Sequence, residues 1–91
     1  MLGEERRLKI LERVGALLRE IDPEIRLHEV ILDSTRQQLA FITQKGERPI
    51  VLGMNWLDYV SHRDEELKQK LQECLERRME AAKRRLTEEE E

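Results

Sequence analysis

The 91 residues suffice for one small domain, and the 41% charged residues leave only 38% hydrophobic residues to build its core. The net charge of -3 argues against a protein whose whole surface binds phosphate, and the single cysteine, Cys74, excludes an internal disulfide and a cysteine-rich zinc site. Without a signal-peptide pattern or an apolar run of about 20 residues, we expect a cytoplasmic protein with no membrane contact, no cofactor and no metal.

The first predicted element is an amphipathic helix from Glu4 to Ile21. Apolar residues recur at steps of three and four, which places them on one helix face. Pro23 ends the helix, because the residue before a proline is kept out of helical geometry. Gly15 costs the helix up to about 1 kcal/mol relative to alanine, so it indicates either close packing or a tolerated glycine. The stripe contains Leu8, Leu11, Val14, Leu18 and Ile21 and is widened by Ile10 and Leu17.

Three strands are predicted next, and the turns between them are too short for parallel crossovers, so the sheet must be antiparallel. Gly46 can take the positive φ that a tight hairpin turn requires. Pro49 lacks an N–H donor and favours an edge position for the third strand, which Gly53 is expected to end. The predicted strands are Glu24 to Leu32, Arg36 to Gln44 and Arg48 to Leu52.

The first strand does not alternate cleanly between apolar and polar residues. Ile25 and Leu27 share one face, but Val30 falls on the other face under strict alternation. Either both faces of this strand are partly buried, or a β-bulge near His28–Glu29 shifts the phase.

Strict alternation places apolar residues of the first two strands on the sheet face that points away from the helices. An exposed apolar patch on a small protein often marks a surface that binds a partner. The predicted interface consists of Val30, Leu32, Ala40 and Ile42.

Asn55 is a predicted N-cap for a helix that begins at Trp56. This helix is expected to reach about Leu86, either unbroken or with a break near Ser61. Acid-before-base pairs four residues apart, such as Asp64–Lys68, support its second part. Its apolar stripe is a second candidate interface and contains Leu67, Leu71, Cys74, Leu75, Met79, Ala82 and Leu86.

The predicted fold class is therefore α+β, in the order αβββα, with both helices on one face of a three-stranded antiparallel sheet. Residues 1–86 form the single predicted domain, and residues 87–91 form an acidic disordered tail.

Candidate chemistry is sparse. Asp58 and His62 lie four residues apart and would face the same way on a helix, as two metal ligands, an acid–base pair, a surface ion pair or part of a capping cluster. Cys74 lies on an apolar stripe, which disfavours a reactive thiolate. No phosphate-binding loop, nucleophile elbow or paired-cysteine motif is present, so we expect no enzymatic activity.

The strongest basic run lies in the last helix, and its candidate nucleic-acid contacts are Arg77, Arg78, Lys83, Arg84 and Arg85. These side chains could contact phosphates. Alternatively, they form a solvated face balanced by neighbouring glutamates and by Glu88–Glu91.

The order of elements is similar to that of double-stranded-RNA-binding domains, and the likeness is one of topology. That family contacts RNA through a Gly-Pro-x-His turn between its first two strands and a lysine cluster at the start of its last helix. Here the turn reads Asp33-Ser34-Thr35-Arg36, and the last helix opens Asn55-Trp56-Leu57-Asp58. The resemblance implies the topology but not the RNA contacts.

The leading hypothesis is a small protein-interaction module that forms a homodimer or docks on another protein. The alternative is a nucleic-acid-binding module with a topology like that of the double-stranded-RNA-binding domains, acting through the basic last helix.

Overall fold

A computed structural model describes residues 3–89 of the chain, with side chains described for residues 3–81. One helix, three strands and a helical C-terminal part follow one another in the predicted order, which confirms the α+β class. The elements are α1 (Glu4–Ile21), β1 (Ile25–Asp33), β2 (Gln38–Lys45), β3 (Arg48–Asn55), α2 (Trp56–Ser61) and α3 (Asp64–Glu89).

The three strands form an open antiparallel sheet in the order β1-β2-β3, so β2 is central and both other strands are edges. The edge position of β3 agrees with Pro49 near its start. Gly46 has a φ of 61° in the hairpin turn, as predicted. The predicted end of β3 at Gly53 is wrong: this residue lies opposite Ala40 within the ladder, and the strand continues to Asn55.

Both long helices pack on one face of the sheet, as predicted. α1 lies against β1, α3 lies against β3, and the two helices contact each other. A Cβ atom added at Gly15 would have no neighbour within 4 Å, so this glycine is tolerated and does not mark close packing. The buried core contains Ile10, Val14, Leu17, Leu18, Ile25, Val30, Leu39, Phe41, Leu52, Met54, Tyr59, Leu67, Leu71 and Leu75.

A β-bulge at His28 shifts the phase of β1, which confirms the second of the two alternatives for this strand. Leu27 lies opposite Thr43 and Glu29 lies opposite Ile42, so His28 is the extra residue. Beyond the bulge Val30 faces the helices, and only 3% of it is exposed. The placement of Val30 and Leu32 on the outer face was therefore wrong, because that placement assumed strict alternation through the bulge.

The helical C-terminal part is broken, as one of the two alternatives proposed. The Asn55 side chain accepts a hydrogen bond of 2.8 Å from the Leu57 N–H, which confirms the predicted N-cap. His62 then has extended backbone angles (φ -99°, ψ 144°) between α2 and α3. The predicted acidic tail overlaps the last residues of α3 at 87–89, and residues 90–91 lie outside the described part of the chain.

Candidate interaction surfaces

The sheet face that points away from the helices carries an apolar patch that crosses all three strands. Ile31 lies opposite Ala40, and Ile42 lies opposite Val51. Ile31 is 51% exposed and Val51 is 47% exposed. We name this set the outer patch; its members are Ile31, Ala40, Ile42 and Val51.

Polar residues bound the outer patch at both ends of the strands. Asp33 and Gln38 are paired at one end. At the other end Arg26 is paired with Gln44, whose side chain lies 3.1 Å from His28 Nε2. Asp33 therefore makes one end of this face acidic and Arg26 makes the other end basic, where Glu24 also lies nearby, with apolar side chains between the two ends.

Two of the four predicted interface residues belong to the outer patch. Ala40 and Ile42 lie there, partly buried, whereas Val30 and Leu32 lie on the helix face of the sheet. Sequence reasoning missed Ile31 and Val51. A bulge at His28 would have indicated Ile31, and alternation in β3 away from the buried Leu52 would have indicated Val51.

The open edge of β1 is occupied by a side chain of the same strand. Glu29 Oε1 accepts a hydrogen bond of 3.0 Å from the Val30 N–H and lies 2.8 Å from Arg7 Nη1 of α1. The Val30 N–H and the Arg7 guanidinium both stabilise the charged carboxylate and lower the pKa of Glu29. An N–H used in this way cannot pair with a strand of another chain, so β1 is protected at its bulge.

The edge of β3 borders a groove of about 540 Å3 between that strand and α3. The Cys74 thiol lies 3.8 Å from the Gly53 carbonyl oxygen, where α3 lies close to the edge. Farther along α3 the helix and the strand enclose the groove. We name it the α3 groove; it is lined by Glu24, Lys45, Gly46, Arg48, Pro49, Ile50, Val51, Arg78 and Met79.

The apolar stripe of α3, the second candidate interface, is used largely within the domain. Leu67, Leu71 and Leu75 are buried in the core, and Cys74 and Met79 pack against it partly buried. The side chains of Ala82 and Leu86 lie outside the described residues.

Asp58 and His62 do not form a joint site. His62 Nδ1 lies 2.6 Å from the backbone carbonyl oxygen of Asp58, not from its carboxylate. The Asp58 carboxylate lies 4.0 Å from Lys70 Nζ, and His62 Nε2 lies 3.9 Å from Glu66. Over the described residues, no three His, Cys, Asp or Glu side chains converge as metal ligands would.

Two aromatic side chains of α2, Trp56 and Tyr59, close one end of the core. The rings of Trp56 and Tyr59 are stacked with centres 5.8 Å apart, and only 7% of Tyr59 is exposed. Arg13 covers the Tyr59 ring at 5.1 Å from its centre. This packing agrees with a structural role for the two aromatic residues.

Side chains are described for only the first two residues of the basic run. Arg77 and Arg78 are exposed on α3, whose backbone continues through Lys83, Arg84 and Arg85, but the side chains of these last three lie outside the described residues.

Comparison with protein-family models, with curated proteins and with solved structures finds no match to this chain. Across residues 3–89, no helix combines the length and the apolar composition needed to cross a membrane.

Proposed function

We propose that this chain is a cytoplasmic, non-enzymatic interaction module whose outer patch binds a second copy of the chain. The observation that supports the proposal most directly is the exposure of Ile31 and Val51 beside Ala40 and Ile42, on a sheet face that no helix within residues 3–89 covers. Contiguous exposed apolar side chains on a small protein are a feature of partner surfaces.

The charge pattern favours a second copy as the partner. A two-fold axis that runs between the two sheets, perpendicular to the strands, would stack the sheets face to face. Each strand would then lie antiparallel to its equivalent in the other copy. In that arrangement the acidic end at Asp33 would meet the basic end at Arg26. The apolar centre of one patch would cover that of the other.

The size of the sheet predicts a weak dimer. Eight-residue strands and three-strand width give a face of about 27 Å by 14 Å, or roughly 400 Å2. A stable interface buries about 800 Å2 per partner. We therefore expect association that depends on concentration, with a dissociation constant in the micromolar range or above.

Sedimentation equilibrium over a concentration series tests the proposal. Ile31→Lys and Val51→Lys should shift the chain to monomer, because each would bury an unpaired charge in the dimer. Leu57→Lys is the matched control, since Leu57 is 62% exposed on α2 and outside the patch. Arg26→Glu should weaken the dimer by placing a carboxylate opposite Asp33.

Circular dichroism of each variant separates loss of association from loss of folding. A wild-type chain that remains monomeric at about 1 mM, where a contact of about -4 kcal/mol would be half formed, would refute self-association. If Leu57→Lys weakened the dimer as much as Ile31→Lys and Val51→Lys do, the outer patch would not be the dimer interface.

The alternative function is nucleic-acid binding by the basic run, supported by the exposure of Arg77 and Arg78 on one helix. Exposed glutamates Glu73, Glu76 and Glu80 lie on the same helix and oppose phosphate binding there. Binding to a duplex RNA or DNA that falls steeply with salt, and that Arg77→Glu and Arg78→Glu weaken equally, would support this alternative.

A further inference from the structure

The α3 groove combines an apolar lining with an exposed strand edge. Pro49, Ile50 and Val51 form the β3 side of the groove, and Met79 lies on the α3 side. Because β3 is an edge strand, no other strand in the described part of the chain pairs with this side of it. A ligand in the groove would therefore contact apolar side chains and lie along an extended backbone.

The basic side chains around the α3 groove differ in whether a neighbouring carboxylate neutralises them. Lys45 is neutralised locally, because its Nζ lies 2.7 Å from the Asp22 carboxylate and Glu24 adds further negative potential. Arg48 and Arg78 also line the groove, and neither forms an ion pair among the side chains of residues 3–81. Two guanidinium groups without an ion pair among residues 3–81 thus flank an apolar groove whose lining also includes Glu24, in a chain whose net charge is -3.

We propose that the α3 groove binds an extended acidic segment of a partner protein. An apolar side chain of that segment lies between Ile50 and Met79, and neighbouring carboxylates pair with Arg48 and Arg78. Arginine is suited to this role because its planar fork binds a carboxylate through two parallel hydrogen bonds. An extended conformation suits a groove that follows an edge strand, although Pro49 offers no N–H there, so side chains provide most of the recognition.

The probe is a fluorescein-labelled peptide of about nine residues that alternates Glu with Val and is roughly 30 Å long when extended. Fluorescence anisotropy at low salt should show saturable binding to the full chain. The same peptide with Lys in place of Glu should not bind. Arg48→Glu and Arg78→Glu should each weaken binding about tenfold or more, since each leaves a carboxylate opposed by a like charge.

Arg77→Glu is the matched control. It changes the net charge by the same amount as Arg78→Glu at the neighbouring position, but Arg77 does not line the groove. Binding to Arg77→Glu should stay within about twofold of wild type, which also separates this site from nucleic-acid binding that uses both arginines.

Amide chemical shifts measured during the titration locate the peptide. The groove predicts the largest changes at Ile50 and Met79, which line it and lie outside the outer patch. Changes centred on Ile31 and Ala40 would place the peptide on the outer patch and overturn the proposal. Absence of saturable binding, equal binding of the Lys peptide, or equal loss in Arg77→Glu and Arg78→Glu would overturn it as well. Arg48, Ile50, Arg78 and Met79 lie outside the outer patch, so these outcomes are measured at residues that the proposed dimer does not use.

Discussion

Arg13 of α1 donates a hydrogen bond of 2.7 Å to the carboxylate of Asp64, the first residue of α3. Its Nη2 also donates to the carbonyl oxygen of His62 at 3.0 Å, in the break between the helices. Burial alone would lower the pKa of Arg13, but the interactions with Asp64 and Tyr59 outweigh it and the pKa is raised. One side chain thus connects α1 to the helix break and to the aromatic end of the core.

Replacement of Arg13 should loosen this connection. We expect Arg13→Ala to lower the free energy of unfolding by about 1–2 kcal/mol. The effect is not larger because Asp64 is exposed and solvent screens its interaction with Arg13. Arg6→Ala, an exposed change on the same helix, should cost less than about 0.5 kcal/mol. Urea unfolding followed by circular dichroism measures both. Equal costs for the two variants would show that the contacts of Arg13 do not contribute to stability.

The phase of β1 can be tested with two neighbouring residues. Val30→Ala removes two methyl groups from the core and should cost about 2 kcal/mol. Ile31→Ala removes more atoms but from the exposed outer patch, so at low protein concentration it should cost less than about 0.5 kcal/mol. Chemical unfolding of the two variants measures both costs. A larger loss of stability in Ile31→Ala than in Val30→Ala would mean that the bulge is misplaced.

Glu29 should make stability depend on pH. Its pKa in the folded chain is lowered, first by the Val30 N–H and then by Arg7. A lowered folded pKa means that the charged carboxylate contributes stability above the ordinary glutamate pKa of about 4.3. That contribution is lost as the pH falls through the folded value.

The corresponding experiment compares wild type with Glu29→Gln by thermal unfolding between neutral and acidic pH. The difference in melting temperature should be largest near neutral pH and should shrink below about pH 4. Glu47→Gln, an exposed change in the hairpin turn, serves as the control and should show little difference at any pH. If the difference in melting temperature between wild type and Glu29→Gln were the same at every pH, the charge of Glu29 would not contribute to stability.

Gly15 and Gly46 have different backbone conformations, so replacing each of them with alanine should change the free energy of unfolding in opposite directions. Gly15 is helical and an added Cβ atom would meet only open space, so Gly15→Ala should raise the free energy of unfolding by up to about 1 kcal/mol. Gly46 has a φ of 61°, which costs other residues about 1–2 kcal/mol, so Gly46→Ala should lower it. Thermal unfolding should show shifts of roughly 4–8 °C per kcal/mol, and shifts of the same sign would contradict these backbone assignments.

Local signals predicted the elements well. The bounds of α1 agree with the predicted Glu4 to Ile21, because a long apolar stripe and Pro23 are both short-range features. The cap at Asn55 and the positive φ of Gly46 also depend only on neighbouring residues. These are cases in which local preference and tertiary structure agree.

Features that depend on pairing across the fold were harder to predict. β3 continues past Gly53 because β2 provides a ladder up to Gln38, opposite Asn55. Charges on α3 pair across elements, as Lys68 does with Glu20 at 3.8 Å, where the sequence predicted a partner at Asp64. Ile31 of the outer patch was missed for the same reason, since it reaches that face only through the bulge, whereas Val51 could have been found from alternation in β3.

The consecutive apolar residues Val30, Ile31 and Leu32 have a consequence for how the chain folds. A one-residue slip of β1 would bury Ile31 in place of its neighbours, and the hydrophobic effect distinguishes the two registers poorly. The contacts of Glu29 with the Val30 N–H and with Arg7 favour the native register, and the second of them requires α1 to be in place. Docking of α1 on the hairpin therefore favours the native register of β1.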